Sequence, residues 1–336
     1  MVEVSAWAAM AAGASLQRHR VTLPSLGDSQ VEVEVTHCGI CRSDVHLVDD
    51  DWGSSQYPVI PGHEIVGVVR DHGERVMGLA PGTRVGVGWQ SDSCQVCPSC
   101  IEGHDNLCRR QQRTCVGRSG GFARRVRVDG RFVYPLPEAL PSEEAAPLLC
   151  AGATVFAPLR RFGISPGARV GVIGLGGLGH LAVQFARQFG AEVTVFTSDP
   201  DKGALAKELG ASRVVASADR DALKGERNRH DLIVSTVHVE LPWSRYVGAL
   251  APRGTLCLLG MPPKPISVHA GLLVEGQRNL TGSVVASRSM IRQMLAVAAE
   301  RRVRPMVETM AMEDAERGLQ RVRDGQARFR VVLAAS

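Results

Sequence analysis

Arg169-Val-Gly-Val-Ile-Gly-Leu-Gly-Gly-Leu-Gly-His-Leu-Ala-Val-Gln-Phe-Ala-Arg-Gln-Phe-Gly190 changes its hydrophobic period part-way. Arg169–Ile173 is a short apolar run of strand length. Across Gly177–Gly190, Leu178, Leu181, Ala182, Phe185 and Phe189 return on one helical face. Between the two runs stands Gly174-Leu-Gly176-Gly-Leu-Gly179, a G-x-G-x-x-G. Alone, that pattern is weak. Here a strand precedes it, a helix follows, and a second strand, Ala191–Thr197, comes next, which is the context of a dinucleotide-binding turn. The first glycine turns tightly, the second lets a pyrophosphate approach, and the third lets helix and strand pack. The helix N-terminus then faces the phosphates.

Outward from this unit the alternation continues. Lys202–Leu209 reads as a helix, and Arg213–Ala216, Asp231–Val237 and Gly254–Leu259 as buried strands. That spacing predicts a doubly wound parallel sheet over residues 151–287. Residues 1–150 look different. Val31–Val35 alternates apolar and acidic, Ile65–Arg70, Thr83–Val87 and Arg124–Val128 read alike, and Pro58, Pro61-Gly62 and Pro81-Gly82 punctuate them. Short, punctuated strands suggest a barrel-like β domain. Residues 288–336 add helices at Met290–Glu300 and Met312–Asp324 and a strand at Phe329–Leu333.

The 336 residues are 44% hydrophobic and 22% charged, a balance that excludes disorder, coiled coil and collagen. No run approaches the roughly 20 apolar residues of a membrane span. Ala6–Leu16 is too short to span and lacks a positive n-region, so it is a poor signal peptide. The net charge of +5 is dispersed; Arg124, Arg125 and Arg127 read as a solvated strand face rather than a nucleic-acid patch.

Nine cysteines without a secretory signal point to a reducing compartment, the cytoplasm, and their clustering to metal. Cys94, Cys97, Cys100 and Cys108 supply four thiolates within fifteen positions, suited to a closed tetrahedral zinc. The intervening residues include Glu102 and Asp105 but no aromatic, Lys or Arg, which argues against a nucleic-acid ribbon. A second set is dispersed: Cys38-Gly-Ile-Cys41-Arg-Ser-Asp-Val-His46, then Gly62-His63-Glu64, then Cys150. Each piece alone is ordinary. Cys38 and Cys41 could be a redox pair, His63 a satisfied turn histidine and Cys150 a core thiol. Together they offer the donors of a catalytic zinc with one open position.

In this order, the zinc cysteines, the Gly-His-Glu, the later Cys and the Rossmann unit resemble the zinc-dependent medium-chain dehydrogenase/reductases. Pro61-Gly-His-Glu-Ile-Val-Gly67 and Ala146-Pro-Leu-Leu-Cys-Ala-Gly152 look like the cinnamyl alcohol dehydrogenase branch. The resemblance covers nearly the whole chain. It implies a GroES-like catalytic domain (1–150 with 288–336), a Rossmann domain (151–287) and an active site in the cleft.

It also implies roles. Cys41, His63 and Cys150 would hold the catalytic zinc with Glu64 at the fourth position, Cys38 being a bystander. Asp44 would orient His63, Ser43 would pass a proton to or from substrate, and His46 would be the outer base of the relay. Arg42 stands where some members place an arginine on the pyrophosphate, or is a surface cation. The cofactor set would be Thr154, Gly174, Gly176, Gly177, Leu178, Gly179, Thr197, Ser198, Lys202, Thr236, Val237, Gly260 and Ser283. Trp52 would wall the substrate pocket, and Trp89 reads as packing. The Cys108–Gly121 stretch is shorter than in many members. The implied cofactors are two zinc ions and NADP(H). NADP rather than NAD is expected because Thr197 stands where an NAD enzyme places an acid, with Ser198 and Lys202 as anion partners and Asp199 and Asp201 turned to solvent. The implied activity is alcohol dehydrogenase or aldehyde reductase on a small molecule, in a homodimer joined by Rossmann edge strands around Gly282–Ser287. Reduction of an activated C=C or C=N bond, and a fold kept without turnover, are the competing readings.

Overall fold

The computed structural model describes residues 1–335. The chain divides into two compact units: Met1–Cys150 with the stretch from Ser287 onward, and Ala151–Ala286.

In the second unit, near-continuous apolar strands force burial on both faces. Val170, Val172, Val193, Val195, Leu232, Ile233 and Val234 are wholly buried. Six strands line up in the order Arg213–Ala216, Glu192–Thr197, Arg169–Ile173, His230–Ser235, Leu250–Leu258 and Asn279–Gly282. All neighbours are parallel. The order reverses at Arg169–Ile173, so the crevice beside its carboxyl end is the switch point where such sheets take ligands. The helix after it runs Gly179–Gln188, two residues inside each expected end. Leu250–Leu258 starts four residues earlier than expected. The added residues enter the ladder with a register shift between Leu250 and Thr255.

In the first unit the barrel-like expectation becomes a seven-stranded sheet whose hydrogen-bonded path has two ends among the described residues. The path is Val307–Ala311, Arg330–Ala334, Gln30–Ile40, Glu64–His72, Arg84–Val87 and Val133–Pro135, with Arg125–Asp129 also on Gln30–Ile40. Gln30–Ile40 is twice as long as the alternation suggests. Arg125–Asp129 pairs with its first half and Arg330–Ala334 with its last residues. Val31, Val33, Val35, Ile65, Val69, Val85, Val126 and Leu333 fill the core. The arginine cluster is spent in ion pairs: Arg125 and Arg127 on Glu32, and Arg124 on Glu34. The return segment gives helices Arg288–Arg301 and Ala315–Arg323, the latter after a short 3-10 turn, Met312–Asp314. Among the described residues no helix is long and apolar enough to cross a membrane.

Candidate metal centres and dinucleotide turn

Strand Gln30–Ile40 ends against Glu64–His72 with Gly39 opposite Glu64. A side chain at Gly39 would collide with the Glu64 carboxylate, since a Cβ would lie 2.0 Å from Oε2. The chain then turns at Cys41, which caps helix Arg42–Asp49. Asp44, in the first turn, is completely buried. Its Oδ2 accepts from the Cys41 N–H (2.8 Å); its Oδ1 accepts from the Gly62 N–H (2.8 Å) and lies 3.0 Å from His63 Nδ1. One carboxylate therefore caps the helix and aims an imidazole. Gly62 has φ +100, and a Cβ there would meet Cys38 Sγ at 2.7 Å. Cys150 arrives on a wide π turn, Leu148–Gly152, between helices Ser142–Pro147 and Ala153–Arg161.

These segments place donor atoms of Cys41, His63, Glu64 and Cys150 within 4.8 Å of one another, all buried. The two Sγ atoms are 4.0 Å apart, near the roughly 3.8 Å edge of a tetrahedron with Zn–S of about 2.3 Å. His63 Nε2 and Glu64 Oε2 are buried with no partner. Orphaned polar atoms are costly, and a cation at this point satisfies both. The donor set thus fits zinc.

Charge fits as well. The Cys150 thiol, hydrogen-bonded to Cys41, holds Cys41 well below a thiol's ordinary value, against the effect of burial. Burial pushes Cys38 well above it. Glu64 is pushed up to about 7 by burial, against the pull of the buried Arg330 guanidinium that binds its Oε1.

Ser43 and His46 lie three apart on one helix, hence on one face. The half-buried Ser43 hydroxyl has no hydrogen-bond partner among the described residues. His46 Nδ1 is 2.6 Å from Asp51 Oδ2, and its ring packs on Trp52 with centroids 5.3 Å apart. Trp52 meets Trp89 edge-on at 6.2 Å, and Trp89 meets His63 edge-on at 4.8 Å. Trp89 therefore packs on the imidazole of the candidate metal centre itself, a contact the sequence reading did not specify. Arg42 is held at one nitrogen. Its Nη1 donates to the carbonyls of Val322 (3.1 Å) and Arg323 (2.7 Å), closing the end of helix Ala315–Arg323, while its Nε is buried without a partner.

The contiguous cysteines also converge. Donor atoms of Cys94, Cys97, Cys100 and Cys108 lie within 4.8 Å, with Cys94–Cys100 at 3.9 Å and Cys108–Cys94 at 3.5 Å. All nine thiols are unpaired. The backbone N–H of Val96, helped by Cys97 and Arg110, brings Cys94 down to about 5. Asp105, buried in this lobe, accepts from the Arg288 N–H at 3.4 Å.

In the second unit the glycines divide their work. Gly174 has φ +88; a Cβ at Gly179 would lie 2.0 Å from the Gly174 carbonyl oxygen; a Cβ at Gly176 would meet nothing. Of Gly174, Gly176 and Gly179, only Gly176 faces open space. Thr236 Oγ1 donates to the Ile173 carbonyl at 2.8 Å, joining the two strands of the switch point, and a Cβ at Gly260 would strike the Val237 carbonyl. Gly177 and Leu178 complete the turn, and Thr154 is buried on helix Ala153–Arg161. Thr197 is buried, its Oγ1 accepting from the Asp199 N–H at 3.1 Å, and Ser198 is exposed. Lys202 pairs with Asp199 at 3.5 Å, and Asp201 is exposed. Ser283 is half-buried, its N–H on the Leu258 carbonyl.

Asp51, Arg330 and Cys115 were not singled out from sequence. Cys115 Sγ lies within 4.8 Å of donor atoms of His63 and Asp44. An acidic run after His46 could have flagged Asp51. Nothing local flags the other two.

Residues 27–138 match the alcohol dehydrogenase GroES-like domain family and residues 177–300 the zinc-binding dehydrogenase family. An aldehyde reductase of Synechocystis sp. is 40% identical over 99% of both chains. The structure of a cinnamyl alcohol dehydrogenase from Sorghum bicolor superposes with a TM-score of 0.95 at 36% identity, covering 99% of this chain and 98% of that one. A Helicobacter pylori enzyme titled CAD, complexed with NADP(H), gives 0.92 at 28% identity over 99% and 98%.

Proposed function

As the chain belongs to the zinc-binding, GroES-like alcohol dehydrogenases, in their cinnamyl alcohol dehydrogenase-like branch, we propose that it interconverts a primary alcohol and an aldehyde with NADP(H). The carrying observation is the buried convergence of Cys41, His63, Glu64 and Cys150 with His63 Nε2 unpartnered. Bound there, zinc would supply Lewis acidity toward a carbonyl oxygen, while the nicotinamide supplies hydride. The chain's own residues do the rest. Cys41, His63 and Cys150 hold the ion, and the carboxylate of Glu64, tied to Arg330, takes the fourth position. Asp44 orients His63. Ser43 delivers or removes the substrate-oxygen proton, and His46, fixed by Asp51, is its outer base. Trp52 and Trp89 wall the substrate side. Cys94, Cys97, Cys100 and Cys108 hold a second, structural zinc.

Cofactor residues are assigned likewise. Gly174, Gly176, Gly177, Leu178 and Gly179 receive the pyrophosphate, with Thr154, Thr236, Val237, Gly260 and Ser283 around the nucleotide. Thr197, in place of an acid, and the exposed Ser198 favour a 2′-phosphate; the Lys202–Asp199 pair weakens that preference. Arg42, already bonded, contributes least. A homodimer through the Rossmann edge around Gly282–Ser287 is supported by the position of Asn279–Gly282 at the end of the sheet, since open edges invite pairing. Unpaired thiols favour the cytoplasm.

The test is NADPH oxidation against aldehydes, enals and cyclic imines. Aldehyde turnover with Ser43→Ala slowed roughly a hundredfold is the expected result. Turnover of enals or imines alone, unaffected by that substitution, would give the reaction to C=C or C=N chemistry.

A further inference from the structure

Cys115 combines three unusual properties. It is 3% exposed, its backbone has φ +61, and its thiol faces the His63–Asp44 pair. A left-handed conformation favours glycine, so a side chain held there in the core needs a reason.

A second metal ion is not that reason. Asp44 already accepts from Cys41 and Gly62, and its Oδ1 is engaged with His63 Nδ1. The Asp44 carboxylate and His63 Nδ1 are therefore already engaged with one another.

Its loop is tied to the other group that touches His63. The Thr114 N–H donates to the Trp89 carbonyl (2.8 Å) and Thr114 Oγ1 to the Gly88 carbonyl (2.7 Å). Trp89 packs edge-on against the His63 ring. The two neighbouring segments, 88–89 and 114–115, thus carry both an indole and a thiol to one imidazole.

We propose that Cys115 is a positioning residue, its thiol packed against the His63–Asp44 hydrogen bond to shut out water and keep His63 Nε2 aimed at the catalytic ion. This rests on the metal-site reading above. A small side chain would open that bond to solvent and free the ring to tilt.

The experiment compares Cys115→Gly and Cys115→Ala as purified holoproteins. Zinc release to a chromogenic chelator is followed, taking the phase absent from Cys150→Ala as the catalytic ion, alongside the visible spectrum of the cobalt-substituted protein and the melting temperature. Gly relieves the backbone and Ala does not, so their melting temperatures should differ, Gly being the higher. Positioning predicts that both nonetheless release the catalytic ion about tenfold faster or more, with a shifted cobalt spectrum and an unchanged lobe phase. Release that tracks melting temperature, slow in Gly and fast in Ala, would reduce Cys115 to a packing residue. Wild-type rates and spectra in both would overturn the proposal. Wild-type protein holding only the lobe ion would overturn the metal-site reading itself.

Discussion

Two buried histidines, one in each unit, have nearly the same partners and opposite fates. His63 Nδ1 lies 3.0 Å from Asp44; His230 Nε2 lies 3.1 Å from Glu226. Neither ring is exposed, and each has its other nitrogen unpartnered. Around His63 stand the thiols of Cys41 and Cys150 and the carboxylate of Glu64. Around His230 stand Arg213 and Arg229, both on Glu226, and the ring of Phe196. Burial pulls His63 down, but Asp44 and Cys150 outweigh it and leave it well above its ordinary value. For His230 burial prevails, helped by Arg229 and Arg169, and takes it down to about 4. An orphaned imidazole nitrogen is therefore not in itself a metal site. Soft anionic neighbours make it one.

The widest break in that comparison is removal of a thiol. Cys150→Ala should bring turnover to background and zinc from two ions per chain to one, while the protein stays folded. Cys100→Ser in the other cluster should also cost one zinc but unfold the lobe, because the binding energy of a structural ion is folding energy. Metal analysis with circular dichroism separates them. A folded, fully active Cys150→Ala protein would end the assignment.

Next comes removal of each carboxylate. Asp44→Asn should weaken zinc retention by about 10–100-fold, since Asp44 fixes the ligand ring. Glu226→Gln should leave zinc and turnover unchanged and cost about 1–3 kcal/mol of stability from its unpaired neighbours. Chelator competition and denaturant titration on both variants decide whether the histidines differ as described.

The difference between these regions also explains what could be read from the sequence. The cysteines at 94–108 and the glycines at 174–179 act within one turn, so their spacing carries the chemistry. The Rossmann sheet was equally legible, since its alternation is local. The His63 site is assembled by pairing: Gly39 opposite Glu64, Val331 opposite Ile40, and Arg330 on Glu64 as a result. Those neighbours are tens to hundreds of residues apart. Only family resemblance could bring Cys41, His63 and Cys150 together, and it left out Arg330, Cys115 and the contact of Trp89. The bonds of Arg42 were not legible for a related reason. The carbonyls it binds, at Val322 and Arg323, belong to a helix 280 residues away.

The smallest effect concerns protons alone. His230 goes from 6.5 to about 4 on folding, while Glu226 opposes that shift and Arg229 and Arg169 add to it. The unfolded chain therefore binds more protons between those values. The His230 contribution to native stability is intact above pH 6.5, falls as the pH drops toward 4, and by that point is lower by about 3 kcal/mol. His230→Gln keeps a donor for Glu226 but no longer titrates. Its denaturation midpoints should decline less steeply than the wild type's between pH 6.5 and 4.5, since every other titrating group is common to both proteins. Parallel curves would mean that His230 is protonated in the native state. The unpartnered nitrogen would then carry a proton, and the contrast with His63 would rest on the thiols alone.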